Sequence, residues 1–219
     1  MVYNKADFKK HIESIQLDGF KLKSAVQAYL FIRKQSNRTE TITLSYRSYA
    51  PHGFYVDGVS VDIYFPEVEN IINPLLDKFN IQNRYGNTTI QKSLIKIEGV
   101  DYSKLETEIN NQSTFDMVRD EINKIISLGA MPFFEKYTSL KTVNEDLSEM
   151  SEDELSNFIS GIIGVKLPLI KKLTYSSDFK TELLERNTFY IGEALKYPQY
   201  FKDHEKVFDT LFSEDLKAV

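Results

Sequence analysis

The sequence predicts an α+β protein: an N-terminal helix, an antiparallel sheet of four to five strands and a packed helix, followed by a mostly helical C-terminal half. Three observations carry this reading. The runs 39–48 and 55–65 alternate apolar and polar residues, as strands buried on one face do. Short turns join them, and no connection is long enough to make neighbouring strands parallel. Beyond residue 100, apolar residues recur at helical spacing almost to the end of the chain. The 219 residues are 42% hydrophobic and 27% charged, which is ordinary for a globular chain and sufficient for one large domain or two small ones. Residues 1–100 are expected to form the sheet-containing part and 101–219 the helical part, joined near Val100 to Ser113, as two domains or as one compact body.

Taken in order, Phe8, Ile12 and Ile15 fall at i, i+4 and i+7, so residues 4–16 read as a short amphipathic helix, ended by Asp18-Gly19. Ala25 to Lys34 is rich in β-formers, and Gln35 to Arg38 reads as a turn. From Thr39 to Ser48, Ile42, Leu44 and Tyr46 share one face of a strand. Ala50-Pro51-His52-Gly53 is the next turn. Tyr55 to Phe65 is a further strand, with Val59, Val61, Ile63 and Phe65 inward. Pro66 suits a first helical position. Val68, Ile71, Ile72, Leu75, Leu76 and Phe79 then mark a helical face, which Pro74 should kink or split. Thr88 to Glu98 reads as one more strand, after a loop at Arg84 to Asn87.

In the second half, Ser113 is the expected start of a helix carrying Phe115, Val118, Ile122, Ile125 and Ile126, bent by Gly129 and Pro132 and resumed by Phe133, Phe134 and Tyr137. Residues 145–154 hold six acids and no base. Ser151-x-x-Glu154 is a capping box, so the acids belong at a helix start, facing the positive end of its dipole. Leu155, Phe158, Ile159 and Ile162 follow. A short helix is expected after Pro168, another behind Asp178 running to Pro198, and a last one from Gln199 to Phe212.

Composition excludes several kinds of chemistry. There is no cysteine, hence no disulfide, thiolate metal site or thiol nucleophile. His11, His52 and His204 are the only histidines, none at metal-ligand spacing from another, and each reads more readily as a surface or turn residue than as a base. Glu67 and Glu69, at i and i+2, do not face each other on a helix, and Asp57 and Asp62 flank a strand without defining a site. No nucleophile elbow or phosphate-binding glycine loop is present. No cofactor is expected. The opening residues lack an apolar run, no membrane-length apolar stretch occurs, and glycosylation patterns at Asn37, Asn87 and Asn111 mean little without an export signal; the expectation is a cytoplasmic protein. Residues 1–100 carry 13 basic and 10 acidic residues, net +3, and residues 101–219 carry 14 and 22, net −8. That balance disfavours a duplex-nucleic-acid binder, which needs a concentrated basic face.

What remains is an aromatic and basic set in the strand region. Tyr29, Arg33, Tyr46, Arg47, Tyr49, Tyr55 and Tyr64 are the candidate interaction surface, since exposed Tyr with Arg is the composition of binding hot spots. The order Phe8…Ile12…Ile15…Gly19-Phe20, two strand runs, Pro51-His52-Gly53-Phe54 and a Tyr64-Phe65-Pro66-Glu67 helix start resembles small bacterial domains of unknown function of the toxin-immunity or accessory type. The resemblance spans about the first 80 residues and implies no functional residue. The first functional expectation is a non-catalytic protein that binds another protein, such as a toxin it neutralises. The alternatives are an enzyme working through carboxylates and one histidine, and a single-stranded nucleic-acid binder using the aromatic strands as a stacking platform. Neither the oligomeric state nor the partner's identity is legible in the sequence.

Overall fold

A computed structural model describes residues 3–49, 53–81 and 88–217. The expected turn at 50–52, with His52, and the loop at 84–87 lie outside the described residues. The α+β architecture is as predicted. Helix α1 (Lys5–Glu13) leads into strands β1 (Lys21–Ala25), β2 (Ala28–Lys34), β3 (Thr39–Ser48) and β4 (Phe54–Tyr64). Helix α2 (Pro66–Lys78) and the short strand β5 (Ile90–Ser93) follow. The sheet order is β1-β2-β3-β4-β5, with β1–β2 and β2–β3 antiparallel. Helices α3 (Tyr102–Leu105), α4 (Gln112–Ile125), α5 (Met131–Lys136), α6 (Leu140–Leu147), α7 (Glu152–Phe158), α8 (Ile163–Leu173), α9 (Phe179–Lys196) and α10 (Pro198–Lys217) complete the chain.

These elements form two compact units. One comprises residues 1–63 and 92–136, the other residues 64–91 and 137–219, so each draws on both the 1–100 and the 101–219 segments. In the first unit the inward side chains of β3 are Ile42, Leu44 and Tyr46, each buried, as the alternation requires. Helix α1 is capped by Asn4, whose side chain takes the Ala6 and Asp7 amides while Asp7 answers to the Asn4 amide. It lays Phe8 flat on Phe54, with ring centroids 4.5 Å apart, and edge-on to Tyr29 and Tyr46. In β4 the buried residues are Phe54 and Val56, then Val59, Val61 and Ile63. The parity switches at Asp57-Gly58, as one extra residue in a strand would make it do.

Several boundaries differ from the sequence reading. Strand β1, Lys-Leu-Lys-Ser-Ala, lacks the β-formers that mark a strand and is held by its pairing with β2 from Lys21↔Ile32 to Ala25↔Ala28. The two-residue turn between them places Gln27 at φ +52°. Pro74 does not split α2; the helix runs through it, the Asn70 carbonyl forgoing its usual amide donor. Ile71 lies at the exposed edge of that helix, and Glu69 takes a buried position instead. The strand expected over 88–98 shrinks to β5. Helix α4 starts before Ser113, because Asn111 and Thr114 form its capping box. Between α4 and α5 the chain makes a π-turn over Ile126–Ala130, just ahead of Pro132. The wider turn accommodates a residue that has no N–H and would crowd the preceding carbonyls.

The second unit is a helical cluster around α8. Eight consecutive residues of α8, Gly164 to Lys171, are buried, as befits a helix enclosed on all sides. It is contacted by α2, α6, α9 and α10. It begins well before Pro168, which lies inside it rather than ahead of it. The predicted Ser151–Glu154 capping box opens α7, but Ile159 has left the helix to bridge to Ile90.

Candidate functional site

The seven candidate surface residues separate once they are placed. Tyr29 and Tyr46 are 2% and 4% exposed and serve the core of the first unit, their rings stacked 5.4 Å apart. They cannot line a surface. The reason is parity: both point to the same side as Phe31, Ile42 and Leu44, the side that α1 covers. Arg33 is committed elsewhere. Its Nε donates to Glu40, a fully buried carboxylate that also pairs with Arg38 at 2.6 Å, and its guanidinium lies 4.4 Å from the centre of the Phe20 ring. Tyr64 donates its hydroxyl to Asn70 Oδ1 at 2.8 Å, in the second unit.

Arg47, Tyr49 and Tyr55 come together at one end of the β3–β4 hairpin. Arg47 pairs with Asp57, Nε to Oδ1 at 2.8 Å, and donates weakly to the Tyr49 hydroxyl at 3.4 Å. The Tyr49 and Tyr55 rings meet edge to face at 5.8 Å. The Tyr55 hydroxyl donates to Glu108 Oε2 at 3.1 Å, while Glu108 Oε1 accepts the Gly53 amide at 2.8 Å. Partial burial and that bond to Glu108 push the Tyr55 hydroxyl above its ordinary pKa, so it stays a donor at neutral pH. Tyr49 remains 51% exposed. The cluster is thus both accessible and held in place: an aromatic pair, a cation and two carboxylates, with few rotamers left to freeze on binding.

Other polar groups meet structural needs. His11 accepts or shares a hydrogen bond with the Tyr3 hydroxyl at 2.7 Å and stacks on Phe115 at 4.7 Å. Burial lowers the pKa of His204, against the pull of Asp203, and Asp203 itself pairs with Lys206 at 2.7 Å. Among the described residues, no group of three or more His, Asp or Glu side chains is placed to hold a metal ion. Glu67 is exposed and Glu69 buried, as their spacing on α2 requires.

Sequence reasoning passed over a buried polar cluster in the second unit. Lys166 on α8 is 1% exposed and donates to Glu69 Oε1 at 2.7 Å and to the Thr88 carbonyl at 2.6 Å. The Thr89 hydroxyl donates to the same Glu69 oxygen at 2.9 Å and accepts the Phe65 amide at 3.0 Å. Burial lowers the Lys166 pKa, and Glu69 opposes the shift. A lysine so tuned is chemically suited to act as a nucleophile, but this one is sealed from solvent and serves as a buried ion pair. Spacing alone signals both residues: Glu69 is i to Ile72 and Leu76 at i+3 and i+7, and Lys166 is i to Leu169 and Ile170. A second chain of charges ties three helices together. Lys171 binds Asp178 and Glu182, Glu182 binds Arg186, and Arg186 reaches Glu152. Burial disfavours the charge on Lys171, but the two carboxylates outweigh it and raise its pKa.

Compared with protein-family models, curated proteins and solved structures, the chain matches none. Among the described residues, no helix is long and apolar enough to cross a membrane.

Proposed function

We propose that the chain is a non-catalytic protein-binding protein acting in the cytoplasm, with Arg47, Tyr49 and Tyr55 at the centre of its docking surface. One observation carries the reading: Arg47 and Tyr49 are exposed and Tyr55 half-buried beside them, yet all three are fixed by Asp57, by Glu108 and by each other. Tyr and Arg anchors that are already ordered lose little entropy on association and are the residue types that dominate binding energies. The resemblance of the first 80 or so residues to immunity-type domains gives the partner a character: a toxin-like protein masked by the bound chain.

A photo-crosslinking amino acid at position 49, in native cells, tests this. It should capture one protein in stoichiometric amount. That protein, once purified, should bind wild type at least about tenfold more tightly than Arg47→Ala/Tyr49→Ala, a loss of roughly 1.4 kcal/mol. Both sites are exposed, so unfolding should move by no more than about 0.5 kcal/mol. No captured protein, or equal affinity for the double variant, would overturn the proposal.

A further inference from the structure

Helix α9 carries apolar side chains on its solvent side as well as on its packed one. Its packed side carries Glu182, Leu183 and Tyr190, with Arg186 held between Glu182 and Glu152. Its solvent side carries Leu184, Ile191 and Leu195, which are 43%, 48% and 80% exposed. Thr181 and Thr188 are exposed on the same side. The positions 181, 184, 188, 191 and 195 alternate steps of three and four, which is the a/d seam of a heptad repeat along nearly the whole helix. An apolar seam of that period fits the same seam on another helix, knobs into holes.

The flanking charges select the occupant. With 181, 188 and 195 at a, position 180 is a g position and 185 the e position of the next heptad. In a parallel, in-register pair each g faces the partner's following e, so Lys180 of one copy meets Glu185 of the other, twice by symmetry. Both side chains are exposed. An antiparallel pair would set Lys180 against Asn187 or Ala194 and gain no such attraction. Among the described residues nothing lies within 4 Å of where a Cβ of Gly192, at the next e position, would stand, which leaves room for a neighbour.

We propose that the α9 seam is a self-association surface, on which a second copy of this chain docks α9 against α9 in parallel and in register. The surface is independent of the Arg47–Tyr49–Tyr55 cluster, and neither proposal requires the other. Two threonines at a positions and a seam of five residues make the pair a weak one, below the area of standard stable interfaces.

Sedimentation of the full chain across micromolar to millimolar concentration should show the average mass climbing from 25.4 kDa toward twice that value. Ile191→Glu should abolish the climb. Lys180→Glu should weaken it, most at low salt, and Lys180→Glu/Glu185→Lys should restore it. Because the chain has no cysteine, Thr181→Cys and Leu195→Cys give a clean geometric readout: in the proposed pair each variant crosslinks to itself on oxidation. A mass constant at all concentrations, association untouched by Ile191→Glu, or crosslinking only when the two cysteine variants are mixed would each overturn the proposal.

Discussion

Removing one partner of the buried Lys166–Glu69 pair is expected to be far more damaging than removing both. In Lys166→Met the Nζ that serves Glu69 Oε1 and the Thr88 carbonyl is lost. Glu69, with no exposed surface, is then left with the Thr89 hydroxyl on one oxygen and no partner on the other. An uncompensated buried charge costs about 3–5 kcal/mol, a large share of the roughly 5–15 kcal/mol that holds a protein folded. At about 2–4 °C per kcal/mol for a chain of this length, the midpoint should fall by very roughly 6–20 °C. Glu69→Gln strands the ammonium instead and should cost a similar amount. The double variant Glu69→Leu/Lys166→Met leaves no charge behind; it forfeits an acceptor for Thr89 and a donor to the Thr88 carbonyl, each worth about 1 kcal/mol, and should lose about 2 kcal/mol in all. Urea unfolding followed by circular dichroism at 222 nm measures all three, tryptophan fluorescence being ruled out because the chain has none. Single variants each costing under about 1 kcal/mol, or a double variant equal to their sum, would show that the pair is not coupled as its burial implies.

Gly53→Ala should cost about 2–4 kcal/mol, because a Cβ there would sit 2.3 Å from the Ile109 carbonyl oxygen and force open the paired bonds between Phe54 and Ile109; chemical denaturation checks it, and a loss below about 0.5 kcal/mol would refute the clash. In acid, Glu121 should stay ionised: the Asp101 amide first, then Lys124, hold its pKa down at about 2 against an ordinary 4.5. Its contribution is therefore complete above pH 4.5 and disappears as pH falls toward 2, and Glu121→Gln should flatten that limb of the stability profile. In alkali the sign reverses. Burial, then the neighbouring Tyr46, pushes Tyr29 up to about 12, and burial likewise raises Tyr3, Tyr137 and Tyr190. Stability should hold below pH 10 and fall as pH rises through 12; absorbance at 295 nm should show these four of the 13 tyrosines ionising late, and a single titration near 10 in the folded protein would contradict their burial.

Local chemistry made much of the fold legible. Alternation placed β3 at its observed bounds, Pro66 stands at the start of α2, and Ser151 with Glu154 opens α7. What escaped is decided at a distance. Nothing in Lys21 to Ala25 favours a strand until β2 offers its free edge. Pro74 and Pro168 look like helix ends, yet surrounding packing holds both helices continuous. The same limit governed the candidate surface. Tyr29 and Tyr46 share composition with Tyr49 and Tyr55, and only the side that α1 covers distinguishes them. Glu69 and Lys166 were hidden because a charge on an apolar face reads as an exception until its counter-charge, almost a hundred residues on, is seen beside it.

The interleaved chain path constrains how this protein can come into being. The first unit needs residues up to 136 and the second takes its opening piece, 64–91, from before that point. During synthesis the early strands must therefore wait for α4 and α5 to emerge, with α2 already out and its own helical partners still unmade. No single cut in the chain separates the two units cleanly: a fragment that keeps all of one, 1–136 or 64–219, also carries a piece of the other cut off from its partners.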